Sequence, residues 1–391
     1  MAHSAKGGGG PHHHRPWRLP LSPRSPHEAH RVATPLELLF DLVVVVAVAQ
    51  SAATLHHGLS AGHVGEGLLI YSMEFFGVWW AWVNFTWFAS AYDNDDVVYR
   101  LLVFLQMTGA LIFAGGISAF GEGRSEIVTA GYVIMRLPLV FLWMRAARAD
   151  AERRPCAIRY IIGISIVQTL WVLRLWLPAH LAVPSFWALV VAELAVPAWA
   201  ESKSPTTWHP HHIAERYSLF TIITLGESIL SATHAVQSSA GAGLMTLAPI
   251  VAGGLLIVYG AWWLYFDRPG HEVLSSVPAA FLWGYGHYFV FASVAAIGAG
   301  ISVAVDQATG HSSITPAAAG AAVAVPTAVY LGTLWFLHAR GERSFATRTM
   351  APLTTVAILF TPLTPQPVLF TGLLVALLTG LKIARAAKPS S

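Results

Sequence analysis

From Thr34 onward, apolar stretches recur along the chain, separated by short polar or charged breaks. A helix needs about 20 mostly apolar residues to cross the hydrocarbon of a bilayer. That ruler places twelve spans, roughly 35–55, 67–90, 99–119, 126–146, 157–177, 181–200, 213–233, 244–266, 281–304, 316–338, 350–363 and 367–386. The eleventh is short and bounded by Pro352, Pro362 and Pro365, so it is the weakest member of the set. The pattern predicts an all-α fold, a polytopic integral membrane protein of about twelve transmembrane helices.

Loop charge supports that count. With the N-terminus inside, the cytoplasmic side collects residues such as Lys6, Arg31, Arg100, Arg145, Arg148, Lys203, Arg268, Arg340, Arg343 and Lys388, and the outside receives Arg124 alone. This asymmetry is what the positive-inside rule expects, with both termini cytoplasmic. Composition agrees: the chain is 55% apolar and 11% charged with a mean hydropathy of +0.57, where soluble domains carry about 25% charged residues. The net charge of +3 is spread through short loops rather than an aromatic-threaded basic patch, which argues against a nucleic-acid partner. A single cysteine, Cys156, excludes an internal disulfide framework and a Cys-rich metal site. Residues 1–33 are polar and carry Gly7 to Gly10 and His12 to His14, so they read as a disordered cytoplasmic tail without a cleaved signal.

The chain also repeats itself. Phe76-Gly-Val-Trp79-Trp80-Ala-Trp82 returns as Tyr259-Gly-Ala-Trp262-Trp263-Leu-Tyr265, and Ala114-Gly-Gly116-Ile117 as Ala299-Gly300-Ile301. Two tandem six-helix halves follow, 34–200 and 213–388, joined by a cytoplasmic linker at 201–212. An even number of spans per half makes the repeats parallel in the membrane.

Chemistry has to come from polar groups at membrane depth, because ionisable residues there are costly. Glu37 is first explained as a cap: Thr34, Pro35 and Glu37 match the S/T-x-x-E box with proline at the first helical position. Asp41 lies one turn deeper on the same face, where a neighbouring arginine or a bound cation would neutralise it. Glu215 and Arg216 open the seventh span as an interfacial pair, and Glu227 sits about 18 Å further in. Gly226 beside Glu227 would let another helix come close. Glu74 and Glu193 complete the deep acids, and Arg136 is the natural counter-ion for Glu227, Glu74, Glu193 or Asp41. Arg174 is placed to snorkel. His287 could relay protons or simply form one hydrogen bond across the bundle. The His209-Pro-His211-His212 cluster and the Asp93-Asn94-Asp95-Asp96 run read as solvated loops.

Pro35-x-Glu37-Leu-Leu-Phe40-Asp41, then Glu215-Arg216 through Leu225-Gly226-Glu227-Ser228, then Trp262-Trp263-Leu-Tyr265-Phe266-Asp267, resemble the bacterial low temperature requirement A (LtrA) family. Val43 to Val46 stand where the family pattern favours phenylalanine. The resemblance implies a bacterial inner-membrane protein and brings no agreed molecular activity. Phe40-Asp41 is also similar, over two residues, to the Phe-Ser-Asp signature of lysosomal potassium channels. Deep acids outnumber deep bases, which favours a proton or small cation over an anion as the traveller. The expected function is a secondary transporter or proton/cation pathway through Glu227, Asp41, Glu37, Glu74 and Arg136. The alternative is a membrane scaffold or sensor whose buried charges only join helices. The lipid bilayer is the expected partner. No phosphate loop, nucleophile elbow or His-Glu-x-x-His is present, so no enzyme, cofactor or metal is expected.

Overall fold

The computed structural model describes residues 16–25, 28, 31–239, 243–339 and 345–386. The His12–His14 run and the charges Lys6, Arg340, Arg343 and Lys388 lie outside the described residues. Twelve α-helices follow one another among the described residues, with no strand: α1 Pro35–Ser60, α2 Val64–Tyr92, α3 Val97–Gly121, α4 Glu126–Ala149, α5 Arg154–Leu173, α6 Ala182–Ala200, α7 Pro210–Ser238, α8 Leu244–Phe266, α9 Val277–Ala308, α10 Pro316–Leu334, α11 Phe345–Ile358 and α12 Pro367–Ala386. Ten are long and apolar enough to cross a membrane, α2 and α11 being the exceptions. α2 has the length, at 29 residues, but its Trp, Tyr, Ser and Asn side chains lower its hydropathy. α11 has only 14 residues, about 21 Å of helix against a hydrocarbon core of about 30 Å. The expectation of a full eleventh span is therefore corrected to a short helix followed by a single turn at Thr361–Leu363.

Local sequence chemistry sets the helix starts. Thr34 Oγ1 accepts from Glu37 N and Glu37 Oε2 accepts from Thr34 N (2.8 Å), so the predicted capping box is formed. Asp96, Ser276 and Thr315 cap α3, α9 and α10 in the same way through their side chains.

Small residues decide which helices touch. Gly109 of α3 and Gly131 of α4 face each other so closely that a Cβ on either would collide with backbone. Gly300 of α9 lies likewise against the backbone of Ala322 in α10, and Gly298 against Ser228 of α7. The same pairings occur in both halves: α3 packs on α4 and α1, and α9 packs on α10 and α7. α8 breaks the pattern by packing chiefly on α12, where Gly253 meets Gly372. The halves meet where α1 and α2 lie against α7 and α9. Trp82 of α2 fills that junction, its ring 4.5 Å from Phe220 and 5.7 Å from Phe291. Outward faces keep large apolar side chains such as Leu101, Phe104, Ile162, Ile166 and Val191, the surface a bilayer would cover.

Candidate functional site

Four titratable side chains join the starts of α1 and α7. Asp41 accepts from both terminal nitrogens of Arg216, at 2.9 and 2.6 Å, and from Trp82 Nε1 at 2.7 Å. One turn nearer the helix ends, Glu37 lies 3.1 Å from His212 Nε2 and 3.8 Å from Arg216 Nε. The spacing of four residues recurs on both helices, so each turn of α1 offers an acid to a base on α7. Both bases lie 175 residues after the acids they meet. The N-caps Thr34 and His209, each followed by proline, hold the same register.

The second centre lies within the first half. Glu193 of α6 is fully buried and accepts from five donors: Trp80 Nε1 (2.8 Å), Arg136 Nη2 (2.8 Å), the Tyr132 hydroxyl (2.8 Å), Gln168 Nε2 (3.1 Å) and Trp171 Nε1 (3.3 Å). Arg136 thus takes Glu193 as its counter-ion, and Glu193 ties α2, α4, α5 and α6 together. Charge-assisted bonds of this kind are the strong ones, and a carboxylate so saturated has no lone pair left for a ligand.

Several expectations are corrected. Of the three histidines only His211 is exposed as expected: His209 caps α7 by accepting from His212 N (3.3 Å), and His212 is buried against Glu37. Nor is the 93–96 run a solvated turn. Asp96 is buried, caps α3 through Tyr99 N (2.7 Å), accepts from Leu19 N (2.8 Å) and pairs with Arg145. Asp93 is buried too, with Arg24 at 3.8 Å. Burial, reinforced by the nearby charge of Glu37, pushes its carboxyl up to about 6 against the opposing pull of Arg31 and Arg24. Arg216 is no interfacial partner of Glu215, which is half-buried and accepts from Ala33 N (3.3 Å). Gly226 brings no helix close, since nothing lies within 4 Å of where its Cβ would be.

The remaining candidates stand apart from one another. Glu227 is half-buried, and its hydrogen bond comes from Ser231 one turn on (3.2 Å). Glu74 of α2 is buried with no donor to either oxygen. Arg174 bonds the carbonyl of Ala182 (2.7 Å) beside the rings of Trp171 and Phe186. His287 of α9 donates from Nδ1 to the carbonyl of Trp283 (2.7 Å), so its Nε2 accepts from the Tyr265 hydroxyl (3.1 Å).

Tyr265 and Trp283 form part of the wall of a cavity of ≈ 1060 Å³, bounded by the starts of α7 and α9, the ends of α8 and α10, and the arm before α1. Charged and titratable groups line this vestibule, among them Glu215, Asp267, Arg268, His211, His271 and His338. His338 Nε2 accepts from Trp283 Nε1 (2.9 Å), and the rings of His211 and His271 stack 3.9 Å apart. His287 lies immediately behind this wall. Sequence reasoning missed the vestibule because its residues come from five separated segments. It also missed the partner of Asp41, although the matching four-residue spacing of His212 and Arg216 was there to be read. The donors to Glu201, namely Trp87 Nε1 (2.7 Å), the Tyr160 hydroxyl (3.0 Å), Thr206 N (2.7 Å) and the Thr206 hydroxyl (2.9 Å), carried no sequence signal.

The profile of the bacterial low temperature requirement A protein (LtrA) family matches residues 32–383. The chain is 26% identical over 319 residues to the uncharacterized protein RA0937 of Rhizobium meliloti (strain 1021), covering 76% of this chain and 75% of that one. No solved structure matches.

Proposed function

The chain belongs to the bacterial low temperature requirement A family, and we propose from that premise that this multi-pass membrane protein is a secondary transporter or proton/cation pathway of the bacterial inner membrane. Both termini are cytoplasmic in this reading, the vestibule opens to the cytoplasm, and no catalysis is assigned. One observation carries it: a large cavity lined by charged and titratable groups stands at one end of the bundle and reaches the Tyr265–His287 hydrogen bond at its wall. Polar groups inside a membrane bundle mark pathways where they line a cavity. The Tyr265 hydroxyl links the vestibule to His287 Nε2, while the Nδ1 proton stays committed to the Trp283 carbonyl, so Nε2 is the nitrogen that can take up and return a proton.

The two halves are read as parallel repeats related by an axis along the membrane normal. Support comes from the common helix pairings and from the equal register of Thr34 with His209, Glu37 with His212, and Asp41 with Arg216. In this arrangement the first helices of the two halves meet near the axis, acid against base.

The test is proton movement in proteoliposomes loaded with pyranine, under an imposed pH gradient with potassium and valinomycin clamping the potential. Proton flux above that of protein-free vesicles, lowered by Tyr265→Phe, is the expected result. Flux equal to protein-free vesicles from folded protein removes the reading. The second reading, a scaffold, is favoured by the complete pairing of Asp41 and Glu193, and in that case no gradient would be dissipated.

A further inference from the structure

Among the described buried carboxylates, Glu74 is the one with neither an ion pair nor a hydrogen-bond donor to either oxygen. The others are held: Asp41 by Arg216, Glu193 by Arg136 and four further donors, Glu201 by Trp87 and Tyr160, Asp96 by Arg145. Glu74 lies ten residues into α2, about 15 Å from that end of the helix, and 1% of its surface is exposed. An ionised carboxylate without partners in such surroundings costs far more than a hydrogen bond returns, so the group holds a proton or a cation.

The surroundings decide between these. Glu74 lines a cavity of ≈ 30 Å³ with Phe113, Thr129, Tyr132, Trp171 and Arg174, room for about one water molecule. From α1, the hydroxyls of Ser51 and Thr54 face the carboxyl. Neither completes a hydrogen bond to it: Thr54 Oγ1 donates to the carbonyl of Gln50 (3.2 Å), and Ser51 Oγ is itself buried and unpartnered. The charged and titratable groups nearby are few. α2 itself contributes Tyr71, α4 contributes Tyr132, which is committed to Glu193, and α9 contributes Tyr288, which donates to Ser72 O. Arg174, after α5, is the one cation on the cavity wall. The carboxyl, the Ser51 and Thr54 hydroxyls beside it and the Thr129 hydroxyl on the cavity wall are fewer oxygens than the six or more a calcium or magnesium ion takes, and the Arg174 cation shares the wall. These oxygens suffice for a carboxylic acid.

We propose that Glu74 is a proton-binding site, neutral in the resting protein and exchanging its proton through the water-sized cavity beside it. The inference deepens the transport reading and rests on it for its role, since a proton bound between α1 and α2 is then the coupling ion. Ser51 and Thr54 accept and pass that proton along α1.

Infrared difference spectroscopy of the full chain in lipid bilayers tests this, because the C=O stretch of a protonated carboxyl is separated from the carboxylate bands. At pH 7 a protonated-carboxyl band is expected that shifts in D₂O, disappears in Glu74→Gln and moves without disappearing in Glu74→Asp. Proton flux in pyranine-loaded proteoliposomes, measured in parallel, should be lost in Glu74→Gln. A wild-type spectrum without a band sensitive to either substitution overturns the assignment, whatever the flux. Loss of the band on adding Na⁺ at constant pH also overturns it, in favour of a metal ion. A Glu74 band with no wild-type flux keeps the proton site and rejects the transport reading.

Discussion

Asp41 and Glu74 are both acids buried in neighbouring helices, yet their surroundings are opposite. Asp41 receives two nitrogens of Arg216 and the indole of Trp82. Glu74 has no ion pair, and its neighbours on α1 are the hydroxyls of Ser51 and Thr54, set too loosely to complete a hydrogen bond. An acid at membrane depth therefore does not by itself mark function. Saturated with donors, it joins helices; left without them, it must take up a proton or an ion. Glu193 belongs with Asp41 and Glu74 stands alone.

The paired acids carry the largest expected effect. Arg216→Ala strands Asp41 and Glu37 together, and breaking a buried pair costs about 3–5 kcal/mol. The variant should lose that stability in a thermal melt, and Asp41→Asn in the same chain should recover part of it. Equal melts for Arg216→Ala and wild type would make the pair ornamental.

Asp93 gives a pH-dependent version, at the end of α2 and outside any span. Its carboxyl is held at about 6 in the folded chain against an ordinary 3.8, so the folded state binds the proton more tightly. The contribution to stability is complete below about pH 4 and lost as pH rises through about 6, a change of about 3 kcal/mol. Asp93→Asn should flatten the stability curve between those values, and a retained slope would assign it to another group.

Smaller effects sharpen the unpaired side. Glu74→Gln removes no made bond and should change stability by less than about 1 kcal/mol. The same change at Glu193 leaves Arg136 buried without its counter-ion and should cost about 3 kcal/mol or more. Melts of the two variants side by side check the ranking. Smallest of all, Gly226→Ala should be neutral or stabilise α7 by up to about 1 kcal/mol, since its Cβ would meet nothing within 4 Å. Destabilisation there would mean that a helix does pack on Gly226.

Most of the architecture was legible in the sequence, and less of the site. Long apolar runs and the Thr34–Glu37 box are local signals, so helix positions and the start of α1 emerge from composition and spacing alone. α11 failed because prolines bracket a run too short to cross. The partners of the deep acids were harder to read. Arg136 was the natural counter-ion, but its choice among four acids depends on how α4 and α6 pack. The indole N–H groups of Trp80, Trp82 and Trp171 are donors to these acids, a role that nothing in their local sequence marks. Glu227 drew attention by its depth along α7, yet it is half-buried and bonded to Ser231 of its own helix rather than to the Asp41 cluster. Depth along a helix is readable from sequence. The direction a side chain faces is set by its neighbours.

In the proposed pathway paired carboxylates hold the bundle while Glu74 carries the proton. Proton flux of the Glu74→Gln variant in proteoliposomes, at a Tm matching wild type, tests it most directly. Flux reduced to that of protein-free vesicles is expected. Wild-type flux from the stable variant would contradict it.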